Sequence, residues 1–273
     1  MEKLGRHKKA YLEELKSLGQ ISPEQLGVLN AEYERLDNSD KEGVKAYVSR
    51  IYAEKKKQPL TEEIVFKYFE TVYYNLTGKS FLWDSNTTAA FYTLLYYFTS
   101  NERFYKSPIL KGKNPSLEKG LCLIGNYGVG KSSLMRTFWK LSSITSDKFA
   151  FHHAGKVVED FEKVLRSKNY HSSVDDFYKK MSKKVICFDD VKTEEVLRNF
   201  GETRNVFKHI LEKRNDLNVK TYITCNYKDG TQNDENKLRI GVEEFGEKYG
   251  GRVYDRMFSD FNFIEMDWAS FRR

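Results

Sequence analysis

The stretch Gly125-Asn126-Tyr127-Gly128-Val129-Gly130-Lys131-Ser132 constrains the fold of this chain more than any other feature. It fits GxxxxGK[ST] without a mismatch, and its flanks matter more than the string itself. The apolar run LCLIG (121–125) precedes it, and a helix-like segment, Ser132 to Leu141, follows. Strand, glycine loop and helix in that order make a phosphate-binding loop. Gly125, Gly128 and Gly130 are expected to let the backbone curl so that successive N–H groups point at phosphates. The helix N-terminus adds a favourable dipole. Lys131 would neutralise the β- and γ-phosphates and Ser132 would ligate Mg2+. The competing reading is a chance match in a glycine-containing turn, and the correct flanks count against it. The expected nucleotide-binding residues are Gly125, Asn126, Tyr127, Gly128, Val129, Gly130, Lys131, Ser132 and Ser133.

From Glu118 onward short apolar runs alternate with helical stretches, which predicts an α/β domain with a central parallel sheet flanked by helices. The strands read as 121–125, 149–153, 184–189, 220–226 and 261–266. In a parallel sheet, ligands sit at the carboxyl ends of the strands. Two of these runs end in polar groups suited to a phosphate site. VICFDD closes on Asp189, expected in the Mg2+ shell, and Asp190, expected to orient or deprotonate the attacking water. TYITCN closes on Asn226, which could hydrogen-bond the γ-phosphate or the water, or could simply form a turn. Arg252 and Arg256 stand four apart after Gly250-Gly251, so they would share one helical face. A guanidinium suits the charge of a transferring phosphoryl group, but surface pairing with Glu247 or Asp255 accounts for the same residues.

The earlier part of the chain reads differently. Residues 1–60 hold three polar, amphipathic helices, an all-α region suited to packing on itself or docking a partner protein. Residues 61–117 form a helical linker, with helices over Thr61 to Leu76 (stopped by Gly78) and Asp84 to Phe98. The aromatic residues of the second helix are expected in the core rather than on a base-stacking surface. SPILKGKNPS, with Pro108, Gly112 and Pro115, reads as a surface loop. The ATPase core then spans 118–273.

Cys122, Cys187 and Cys225 each lie inside a strand-like run without CxxC spacing, which favours buried free thiols over a zinc site. No apolar run approaches the roughly 18–20 residues of a membrane span, and MEKLGRHKKA carries no secretory signal. A cytoplasmic location is therefore expected. The net charge of +7 favours polyanionic partners, though Lys and Arg are scattered in small groups.

Taken in order, GNYGVGKS, VICFDD, ITCN and GGRVYDRMF resemble the DnaC/IstB clade of AAA+ proteins over roughly Asn86 to Phe271. The closing stretch GRVYDRMFSDFNFIEMDWASFR is similar to the end of DnaC-type helicase loaders. The resemblance implies a AAA+ P-loop core without a C-terminal lid. It assigns Asp189 and Asp190 to the Walker B motif, Asn226 to sensor I, and Arg256, with Arg252 second, to an arginine finger. Each finger would reach the ATP of a neighbouring subunit in a ring or spiral. The implied activity is ATP hydrolysis with Mg2+ in a loader that binds a hexameric replicative helicase and single-stranded DNA. An IstB-type helper of transposition uses the same core on duplex DNA. A third reading is an interaction protein that binds ATP without turnover, which the intact Asp189, Asp190 and Asn226 count against.

Overall fold

The computed structural model describes residues 58–167, 170–194, 197–199 and 202–271. The three amphipathic helices read from residues 1–60, and the docking role attached to them, lie outside the described residues but for 58–60. The chain divides into two compact units. Of the described residues, one unit takes those from 58 to Leu82 with Arg136–Lys148, and the other takes Trp83–Met135 with those from Phe149 to Phe271.

In the first unit, helix α1 (Glu62–Thr77) buries Val65, Phe69 and Val72, spaced four and three apart along one face. Thr61 caps it by accepting from the Ile64 N–H at 3.3 Å, and Glu62 and Glu63 suit the positive end of the helix dipole. Gly78 ends it in the left-handed conformation (φ 71), as the sequence predicts. Phe69 meets Phe81 edge-on at 4.9 Å and Phe138 at 6.0 Å.

The second unit opens with helix α2 (Ser85–Phe98), started by a capping box between Asp84 and Thr87. The Thr87 N–H, foremost among several partners, holds the Asp84 carboxyl below its ordinary pKa. Phe91, Leu94, Leu95, Tyr97 and Phe98 are buried, so the aromatic stripe is core as expected. Phe98, Phe149 and Tyr222 pack together, with ring centroids 5.1 to 5.5 Å apart.

The sheet of this unit contains β1 (Leu110–Lys111), β2 (Gly120–Gly125), β3 (Ala150–His153), β4 (Ile186–Val191), β7 (Thr221–Asn226) and β8 (Phe261–Met266). Their order is β1-β8-β2-β7-β4-β3, and every pair is parallel except β1 with β8. The five parallel strands follow the predicted runs closely, giving the mostly parallel sheet with flanking helices expected from the alternation of strand and helix. Two features depart from the sequence reading. SPILKGKNPS is not all loop, because Leu110 and Lys111 pair with Ile264 and Phe263. A small hairpin, β5 (Leu197–Asn199) with β6 (Glu202–Arg204), sits in a stretch read as helical connection. Strands of two and three residues are too short to show the alternation that reveals a strand.

Helices α3 (Lys131–Ser142), α4 (Ala154–Leu165), α5 (Tyr170–Ser182) and α6 (Val206–Asp216) connect the strands. Two more, α7 (Lys237–Tyr249) and α8 (Gly251–Asp260), precede β8. Arg214 on α6 is fully buried and pins the amino-terminal edge of the sheet. Its guanidinium donates to Thr221 Oγ1 and to the carbonyls of Met181, Lys184 and Lys220 at 2.6 to 3.0 Å. Burial lowers its pKa to about 10, which leaves it charged at neutral pH. All three cysteines are buried and free, and Cys122 and Cys225 face each other across β2 and β7 with sulfurs 3.9 Å apart. Among the described residues no helix is long and apolar enough to cross a membrane.

Candidate nucleotide-binding site

Of the chemistry predicted from sequence, the glycine loop with Lys131, the acids Asp189 and Asp190, and Asn226 come together at the carboxyl edge of the second unit's sheet. Among the described residues, Arg252 and Arg256 are not linked to them. Strand β2 is buried along its whole length and delivers Gly125 between Asn226 of β7 and Met266 of β8. A Cβ on Gly125 would lie 2.1 Å from the Met266 carbonyl oxygen. Gly125 therefore permits close strand approach rather than the curl expected of it. The curl belongs to Gly128 and Gly130, with φ of 75 and 95.

Lys131 opens α3, and its side chain turns back beneath the loop. The residue is only 6% exposed, and Nζ donates to Gly125 O at 3.0 Å, Asn126 O at 2.6 Å and Asn226 Oδ1 at 2.9 Å. An ammonium has three hydrogens to give. Two of these contacts fix it to the loop backbone and the third points it towards Asn226. Ser132 and Ser133 follow, half-buried, in the first turn of the helix.

The loop is braced from outside by residues the sequence did not single out. Asn126 Nδ2 donates to Asp267 Oδ1 at 3.3 Å and to the Trp268 carbonyl at 3.4 Å. Asp267 is also paired with Lys237 at 2.6 Å, and the Phe271 N–H donates to Gly128 O at 3.1 Å. Tyr127 donates its hydroxyl to Asp229 at 2.9 Å. Partial burial, then that carboxylate, push the phenol up to about 12.

Beside the loop stand the two carboxylates of β4. Asp189 is 5% exposed, and its Oδ1 accepts from Thr224 Oγ1 at 2.6 Å. Asp190 is more open: its Oδ1 accepts from Asn226 Nδ2 at 3.2 Å, and its Oδ2 lies 3.8 Å from His153 Nε2. A continuous hydrogen-bonded chain thus runs from Lys131 through Asn226, Asp190 and Thr224 to Asp189. The sequence places four of these five residues together, and Thr224 is the addition.

After Asp190 the chain is held in an uncommon conformation, with Lys192 at φ 81. Helix α7 clamps it. The Lys192 N–H reaches Glu194 Oε2 at 2.9 Å and Tyr249 Oη at 3.1 Å, and its ammonium reaches Gly241 O at 3.1 Å and Glu244. Tyr249 donates to Glu194 Oε1, and burial followed by that carboxylate raises its phenol well above the usual range. Arg252 and Arg256 are both exposed on α8, consistent with the shared face read from their spacing. Arg252 pairs with Asp216 of α6, rather than with Glu247 or Asp255.

The residues present fit Mg2+ bound together with a nucleotide. Among the described residues no group of three or more His, Cys, Asp or Glu could hold a metal by itself. Mg2+ characteristically takes one or two protein ligands and completes its shell with phosphates and water. Ser132 and Asp189 supply that kind of partial donor set beside a loop shaped for phosphate.

No protein-family model and no curated protein matches the sequence. Solved structures with a similar fold include the DnaC helicase loader, 18% identical, with a TM-score of 0.49 over 71% of this chain and 97% of that one. A primosome component from Streptococcus pyogenes serotype M3 is 16% identical, with a TM-score of 0.46 over 80% of this chain and 96% of that one. DnaI is 19% identical, with a TM-score of 0.41 over 72% and 89% of the two chains.

Proposed function

We propose that this chain is a Mg2+-dependent ATPase of the AAA+ type that acts as a loader of a hexameric replicative helicase. The observation that carries the ATPase reading is the bonded chain from Lys131 through Asn226 to Asp190. It joins the group suited to phosphate charge to a carboxylate suited to water activation. The loop N–H groups and Lys131 would bind the phosphates, with Ser132 and Asp189 on the metal. When bound, Mg2+ neutralises charge on the phosphate oxygens. Asp190, the more exposed acid, would take the proton from the attacking water. Asn226 touches both Lys131 and Asp190, so displacement of either partner by phosphate would be felt at the other.

The loader reading rests on the sequence resemblance to DnaC-type proteins. Under it, residues 1–60 grip the helicase, 61–117 link them to the core of 118–273, and Arg256, with Arg252 second, completes a neighbour's site in a ring or spiral. A cytoplasmic site of action goes with this role. The ATP-bound assembly should prefer single-stranded to double-stranded DNA, with affinity falling steeply as salt rises. Fluorescence anisotropy with matched oligonucleotides measures this directly. Preference for duplex would replace the loader reading with the transposition-helper one.

A further inference from the structure

The two carboxylates of β4 present a geometric problem that the sheet solves in an unusual way. Consecutive residues of a regular strand point to opposite faces. Yet Asp189 bonds the side chain of Thr224 and Asp190 bonds the side chain of Asn226. Thr224 and Asn226 are two apart on β7 and share one face. Both acids therefore address the same face, which a regular β4 would forbid.

A β-bulge makes this possible. Phe188 pairs with Ile223 and Val191 pairs with Cys225, so Asp189 and Asp190 together oppose the single residue Thr224. Asp190 takes φ 60, the left-handed region, to accommodate the extra residue. A bulge leaves a residue without its ladder partner, and a buried N–H without a partner is costly. Here the Asp190 N–H donates to Thr224 Oγ1 at 2.9 Å. The same hydroxyl donates its own hydrogen to Asp189 Oδ1 at 2.6 Å. One buried hydroxyl thus satisfies the bulge and fixes one oxygen of Asp189, leaving the rest of the carboxylate for other ligands.

We propose that Thr224 is a positioning residue: its hydroxyl fixes the bulge that brings Asp189 and Asp190 onto one face, and so sets the Mg2+ demand of nucleotide binding. This rests on the nucleotide reading above. Valine matches threonine in shape but has no hydroxyl, so Thr224→Val removes both bonds at once. Serine keeps the hydroxyl.

The test titrates MgCl2 against a fluorescent N-methylanthraniloyl-ATP probe, read by anisotropy, in the wild type, Thr224→Val, Thr224→Ala and Thr224→Ser. In EDTA all four should bind the probe alike, because Lys131 and the loop backbone are untouched. In Thr224→Val the half-saturating Mg2+ concentration should rise about tenfold or more, the scale of losing a hydrogen bond to a charged group. Turnover should fall with it, and Thr224→Ser should restore both. Thr224→Ala takes the place of valine should valine prevent folding, and its Mg2+ demand should rise in the same way. A purely structural hydroxyl would lower the melting temperature while leaving the Mg2+ midpoint of the folded protein unchanged, and that result overturns the proposal. So does a Thr224→Ser variant that behaves like Thr224→Ala. A wild-type protein that binds no probe at all would instead overturn the nucleotide reading itself.

Discussion

Asp190→Asn is expected to bind Mg·ATP as the wild type does and to hydrolyse it about a hundred to ten thousand times more slowly, the usual range for loss of a general base. The asymmetry between the two acids supports this. Asp189 is nearly buried and tied to Thr224, whereas Asp190 lies more open, between Asn226 and His153. The more open acid is the one better placed to meet a water beside a bound phosphate. Asparagine preserves the shape of the side chain and its reach to Asn226 but cannot accept a proton. Probe binding together with a phosphate-release assay separates the two effects. Turnover that survives the substitution would move the base to another residue, and loss of probe binding would mean that Asp190 serves the phosphates or the metal.

Arg256→Ala is expected to lower turnover in the assembled protein on the order of a thousandfold, the scale of other arginine fingers. The loss should be smaller if Arg252 substitutes. Arg252 already has a partner in Asp216, whereas Arg256 sits one turn further along the same exposed face. Isolated Arg256→Ala subunits should bind ATP almost normally. Mixing them with Lys131→Ala subunits provides the diagnostic, since each variant is nearly inactive alone. A Lys131→Ala subunit still offers its arginine to a neighbour whose loop is intact. Activity should partly return on mixing if the finger acts across subunits, with co-assembly followed by light scattering. No recovery at any ratio, despite co-assembly, would make the arginine act within its own chain.

What was legible in the sequence follows the range of each interaction. The phosphate-binding loop is local, so its glycines, Lys131 and flanking elements could be read directly. The parallel strands are short continuous apolar runs, and their ends located Asp189, Asp190 and Asn226. Thr61, Asp84 and Gly78 mark helix ends through contacts within a few residues. Interactions between distant segments were hidden. Leu110 and Lys111 become a strand only because β8, some 150 residues later, lies beside them. Thr224 reads as an ordinary β-former in an apolar run, and its role follows from the bulge in a different strand. Gly125 fits a loop motif, but its need for glycine comes from the Met266 carbonyl. The Lys192 clamp joins residues about fifty positions apart, and no spacing rule reveals it.

The nucleotide reading stands or falls on Lys131 lying where phosphates bind. Its ammonium is held by Gly125 O, Asn126 O and Asn226 Oδ1, inside a loop curled by Gly128 and Gly130. Isothermal titration of Mg·ATP into the wild type and Lys131→Ala, with melting curves to show that both are folded, tests it most directly. The prediction is clear binding by the wild type and a loss of about a hundredfold or more in the variant, as expected when charge-assisted bonds to phosphate are removed. A folded Lys131→Ala protein that binds Mg·ATP with unchanged affinity would contradict the assignment of this loop.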